Sequence, residues 1–91
     1  MKVQISKNNF LEDDMFLKMR LRKQIRKSKE TIAQLEQKRS RSQAALVSAL
    51  LKNEVPRDED VDYFNHFNSK IDLEREHLHS LNEQYEELLK K

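Results

Sequence analysis

The chain has 91 residues with no Gly, no Cys and a single Pro, and 37% of its residues are charged. That composition excludes glycine-rich phosphate loops, a disulfide framework and a thiolate metal site, and bounds the chain to one domain of long helices with few tight turns. The formal net charge of +2 hides a split: residues 1–52 carry 13 Lys/Arg against 5 Asp/Glu, and residues 53–91 carry 5 against 11.

Val3 and Ile5 alternate with polar residues at the start of the chain, so residues 1–9 are expected to form a flexible or extended N-terminal tail. Asn8 and Asn9 then offer a helix cap. Glu12 follows Asn9 at the spacing of a capping box, and Asp13 and Asp14 suit the positive end of a helix dipole. A first helix is expected over residues 10–52, since no breaker interrupts it before Asn53. Asn53-Glu54-Val55-Pro56 reads as a turn over 53–56, because Pro56 cannot continue a helix and disfavours helical geometry at Val55. Pro56 can instead precede a second helix, expected over 57–90, whose first turn holds Asp58, Glu59 and Asp60.

Each helix carries a heptad seam. Leu21, Ile25, Ser28, Ile32, Leu35, Arg39, Ser42 and Leu46 form one, and Phe64, Phe67, Ile71, Glu74, Leu78, Leu81, Tyr85 and Leu88 form the other. Steps of three and four keep such residues on one stripe. Folding the chain back pairs Leu46 with Phe64 and Leu21 with Leu88, with six layers between and no slip of register. The fold class is therefore all-α: an antiparallel two-helix coiled-coil hairpin spanning residues 10–91. Within the seam, Ser28 falls opposite Leu81 and Ser42 opposite Phe67, a small residue against a large one in each case. Arg39 and Glu74 occupy adjacent layers. They either bond across the interface or extend to the rim.

A hairpin with one buried stripe per helix is thin for a stable fold. Self-association is expected, as a homodimer forming a four-helix bundle. Ala33, Ser40, Ala44, Val47 and Leu51 form the candidate dimer face, with Gln37 in the same stripe, and Tyr63, His66, Leu73 and His77 are a half-apolar counterpart on the second helix. A further apolar cluster of Phe10, Leu11, Met15, Phe16, Leu17 and Met19 lies beyond the reach of the second helix, and is the candidate site for a protein partner, or for a second copy against which Leu11 and Met15 extend the seam.

Lys18, Arg20, Arg22, Lys23, Arg26, Lys27 and Lys29 crowd one segment. The hairpin register sets them opposite Glu83, Glu86 and Glu87, with Glu76 nearer the end, so pairing within the hairpin is one reading. Nucleic-acid contact through Arg22, Lys23, Arg26 and Lys27 is the other. His66, His77 and His79 have no metal-ligand spacing within one chain. No catalytic residue, metal or cofactor is assigned. No apolar run approaches the roughly 18 residues of a membrane span. Residues 1–9 lack the apolar stretch of a secretory signal, and the absence of Cys agrees with a reducing compartment. A non-enzymatic cytoplasmic interaction module, an adaptor, assembly chaperone or regulatory subunit, is the expectation.

Two resemblances bear on this reading. Leu21-Arg22-x-x-Ile25, Ile32, Leu35 and Arg39 resemble part of the first-helix pattern of the helical chorismate mutases. The acidic positions of that family are Arg26 and Lys29 here, its later Lys falls on Leu50, and a third helix is missing, so its catalytic set is not carried over. The hairpin architecture and chain length also resemble the small helical proteins exported by type VII secretion systems. Their Trp-x-Gly turn is absent, because this chain has neither Trp nor Gly. That likeness is one of architecture.

Overall fold

The computed structural model describes the backbone of residues 2–90 and the side chains of residues 14–90. Two helices, α1 (Lys2–Leu51) and α2 (Asp58–Lys90), pack against each other as a hairpin, with no strand among the described residues. The molecule measures 76 × 18 × 15 Å. Its length matches the roughly 75 Å expected of the 50-residue α1 at about 1.5 Å per residue.

α1 begins earlier than the capping signals suggest. The backbone of residues 2–9, read from the sequence as an extended or flexible tail, is helical. The cap at Asn8 and Asn9 permits a helix start without requiring one. Nothing upstream is Gly or Pro, and an internal Asn costs a helix less than about 1 kcal/mol.

The turn is built by the residues that the sequence singles out. Asn53 adopts φ 57°, the left-handed region that Asn tolerates better than most residues. The Asn53 N–H then donates to the Leu50 carbonyl at 3.0 Å, and the Glu54 N–H reaches the Ala49 carbonyl at 2.9 Å. This pair of bonds is a Schellman cap, which satisfies carbonyls that the end of α1 would leave without partners. Pro56 holds the chain out of helix, and the Arg57 carbonyl accepts from the Asp60 N–H at 3.0 Å and the Val61 N–H at 3.2 Å. Asp58, Glu59 and Asp60 occupy the first turn of α2, where the helix dipole favours negative charge.

The two helices meet along the heptad seams. Every one of the seam positions from Leu21 to Leu46 and from Phe64 to Leu88 is buried or half-buried. Leu21, Leu81 and Leu88 form a cluster at the open end of the hairpin, with Ile25 and Tyr85 packed against it. Ile71, 0% exposed, lies deepest. The seam runs on past the expected layers: Ala45 and Ala49 on α1 are half-buried near the turn, as are Asp60 and Val61 on α2. At the other end Asp14 and Lys18 pair with each other at 3.6 Å on the same stripe of α1.

The core remains thin. Among the described residues only Leu21, Ile71, Leu81 and Leu88 are buried apolar side chains, and full burial of each contributes about 1.5–3 kcal/mol. α2 has 33 residues against 50 in α1, so the N-terminal part of α1 outruns it.

Candidate interaction surfaces

Polar groups within the seam choose partners other than those read from the layers. The Ser28 hydroxyl, 3% exposed, donates to Glu74 Oε1 at 2.8 Å. Arg39 Nη1 donates to Asn68 Oδ1 at 2.9 Å. Arg39 and Glu74 therefore do not bridge each other: each finds a neutral partner first, which avoids desolvating a pair of charges. A buried hydroxyl needs an acceptor, and Glu74 is the carboxylate that supplies one. Replacing Ser28 by Ala is expected to destabilise the hairpin by about 1.5–3 kcal/mol, the range for a hydrogen bond to a charged group. A double-mutant cycle with Glu74→Ala, which removes the acceptor, read by denaturant unfolding, measures the coupling. Additive effects would mean that the bond contributes nothing.

The basic segment is not neutralised in the way the register suggests. Among the described residues, none of Arg20, Arg22, Lys23, Arg26, Lys27 and Lys29 forms an ion pair with Glu76, Glu83, Glu86 or Glu87. Arg22 instead donates through Nε to the Tyr85 hydroxyl at 2.6 Å, its guanidinium carbon 5.6 Å from the ring centroid. Glu83 takes His79 as its neighbour, one turn away on the same helix, at 2.9 Å. The ion pair that does cross between the helices, Arg75 Nη2 to Glu36 Oε1 at 3.2 Å, places its cation on the acidic helix and its anion on the basic one. Both side chains are about half exposed, so the pair adds little stability.

That bridge also fixes which sides of the two helices share a face. Glu36 follows the seam residue Leu35, and Arg75 follows Glu74, so in this antiparallel pair the residues following the seam lie on one common face. Ser40 and Val47 follow their seam residues. Tyr63, His66, Leu73 and His77 precede theirs. The counterpart stripe expected on α2 is therefore on the opposite face from Ser40 and Val47, and one flat contact cannot use both. Gln24, Lys27, Thr31 and His77, all preceding the seam, line a groove together with Ser28 and Glu74 on that opposite face.

Ala33, Ser40 and Ala44 are exposed, as are Val47 and Leu51. Ser40, Gln43, Ala44, Val47, Ser48 and Leu51 line a shallow groove of about 420 Å³ on α1 alone. This stripe is thus no widened core of the single hairpin. Near the start of α2, Glu59, Asp62, Tyr63 and His66 line a second groove. Tyr63 stacks on Phe67 with ring centroids 6.4 Å apart, and His66 meets the same ring edge-on at 5.6 Å.

The apolar end of α1 carries the largest side chains left in solvent there. Met15 is 65% exposed, Phe16 61%, Met19 59% and Leu17 41%. Successive helix residues point about 100° apart, so this cluster surrounds the helix on several sides. The side chains of Phe10 and Leu11, read as members of the same cluster, lie outside the described residues. Leu50, Val55 and Leu89 are exposed as well, outside the candidate surfaces that the sequence marks. Their exposure follows from positions just off the seam or in the turn, where the heptad pattern is silent.

Among the described residues there is no group of three or more His, Cys, Asp or Glu that could hold a metal ion, and no helix long and apolar enough to cross a membrane. Compared with protein-family models, curated proteins and solved structures, the chain matches none at a significant level.

Proposed function

We propose that this chain is a non-enzymatic protein–protein interaction module, a small coiled-coil adaptor, assembly chaperone or regulatory subunit. It acts as a homo-oligomer, with two hairpins forming a four-helix bundle, and docks a protein partner through the apolar end of α1. The observation that carries this reading is an imbalance. Met15, Phe16 and Met19 stand in solvent on the part of α1 that outruns α2, while the buried apolar core among the described residues amounts to four side chains. A helix apolar on several sides is stable when other helices surround it, and a binding groove on another chain supplies that cover.

Sedimentation equilibrium at micromolar concentration tests the self-association, with a dimer near twice the 11.0 kDa chain mass expected. A stable, well-folded monomer overturns it. Co-purification from the native source, followed by reconstitution from purified components, tests partner docking.

A second reading has its own support. Among the described residues, Lys18 pairs with Asp14, and the cations of residues 20–29 form no ion pair, which leaves them available to phosphates. In this reading Arg22, Lys23, Arg26 and Lys27 hold a nucleic-acid backbone without reading its sequence. Binding to mixed-sequence duplex and single strands that weakens steeply with salt, and disappears when these four charges are reversed, supports it. Absence of binding at low salt retires it.

A further inference from the structure

Charge is divided between the helices almost symmetrically. Twelve Lys/Arg against five Asp/Glu give α1 +7, and three against ten give α2 −7. The hairpin hardly uses this difference in direct contacts. Among the described residues, the ion pair that crosses between its helices runs against the gradient, joining Glu36 of α1 to Arg75 of α2. The seam explains why: apart from Arg39 and Glu74, its positions from Leu21 to Leu46 and Phe64 to Leu88 hold apolar and neutral polar groups, so most charges stand on the outer sides of the helices.

Two hairpins stacked face to face can be related by a two-fold axis in two ways. With the axis along the helices, the turns lie at the same end and each α1 packs beside the α2 of the other copy. With the axis across the helices, the turns lie at opposite ends and α1 packs beside α1, α2 beside α2. The first gives every helix two neighbours of opposite charge. The second gives every helix one neighbour of its own sign. Helices about 8–10 Å apart lie within the screening length of roughly 8 Å at physiological salt plus the reach of their side chains, so the choice carries energy. Flanking charges set the orientation of coiled-coil partners in this way.

We propose that a second copy of this chain covers the hairpin in the same-end arrangement, each basic α1 lying antiparallel against the acidic α2 of its mate. The proposal rests on the self-association read above and adds its geometry. The face used is the one that carries Arg22, Arg26 and Val47 on α1 and Glu86 and Leu89 on α2, all of which follow the seam. At equal register Arg22 of one copy comes level with Glu86 of the other, and Arg26 with Glu83. Like-charged crowding in the opposite-end form is what excludes it.

The chain has no Cys, so Val55→Cys, at a turn position 90% exposed, provides one nitroxide attachment point per copy in the full-length protein. Pulsed dipolar spectroscopy at a concentration where sedimentation shows a dimer reads the distance between turns. The same-end arrangement gives one population within about 30 Å, the width of a bundle of helices 8–10 Å apart plus the label arms. A population at about 50 Å or beyond, the length of a 33-residue helix, overturns the arrangement while leaving the dimer intact. A monomer at every concentration overturns the self-association itself. A mixing experiment supplies a second readout. Arg22→Glu with Arg26→Glu, and separately Glu83→Lys with Glu86→Lys, should each dissociate at least tenfold more readily than the parent, with helicity retained by circular dichroism. Mixed one to one, they should recover a heterodimer of parental affinity. Failure of the mixture to recover, with both variants folded, also overturns the arrangement.

Discussion

Replacing Ile71 by Ala should remove about 2–5 kcal/mol from the stability of the hairpin, the range for truncating a fully buried aliphatic side chain. Ile71 is the largest side chain with no exposure to solvent, at the middle of a seam that has few other buried apolar groups. A larger core could collapse around the missing atoms. Here the cavity would open between just two helices. A domain of this length shifts its melting temperature by about 4–8 °C per kcal/mol, so a fall of at least about 8 °C is expected. Leu73→Ala is the control. It lies two residues away, 66% exposed, and should change stability by less than about 0.5 kcal/mol. Thermal melts at matched protomer concentration compare the two, because self-association adds a concentration-dependent term. Equal effects would show that the core has been placed on the wrong stripe of α2.

The seam itself was legible in the sequence because burial between two long helices imposes a spacing that few other constraints blur. Steps of three and four mark positions from Leu21 to Leu46 and Phe64 to Leu88, and all are shielded from solvent. The turn was legible for a different reason. Asn53 is a residue that accepts positive φ, and Pro56 forbids a continuous helix. What could not be read were the side-chain pairings. Arg39 has several rotatable bonds and reaches Asn68, a residue just off the seam, as easily as any residue in its own layer. Arg22 settles against the Tyr85 ring and hydroxyl instead of an exposed carboxylate. Surface ion pairs gain too little for charge opposition in a register diagram to fix them. α1 starts at Lys2, ahead of residue 10 where the capping signals put it, because capping residues mark where a helix is able to begin and an uninterrupted helical sequence overrides them. The separation of the Ser40–Val47 stripe from Tyr63, His66 and Leu73 needed the handedness of two opposed helices, which spacing along each chain segment does not express.

Substituting Met15 and Phe16 together by Glu should separate assembly from folding. Neither side chain belongs to the seam, and both stand more than half exposed beyond the Leu21–Leu88 end of the core. The hairpin should therefore keep its helical circular dichroism, with a melting temperature altered by no more than a few degrees under conditions where the parent is monomeric. Association with a partner should be lost, because full burial of Met and Phe contributes about 1.5–3 kcal/mol each and a buried unpaired carboxylate adds a penalty on top. Together these exceed 3 kcal/mol, or more than a hundredfold in affinity. In the same-end dimer both α1 overhangs emerge at one end of the bundle, so a single partner helix could be gripped between two such clusters, and the loss would be felt twice. Size-exclusion chromatography with the co-purified partner reads the outcome. Global unfolding of the double variant would place the cluster in the core and extend the hairpin beyond Leu21. Unchanged assembly would move the partner interface to the groove at Ser40, Ala44 and Val47, where an Ala44→Glu substitution should then abolish it.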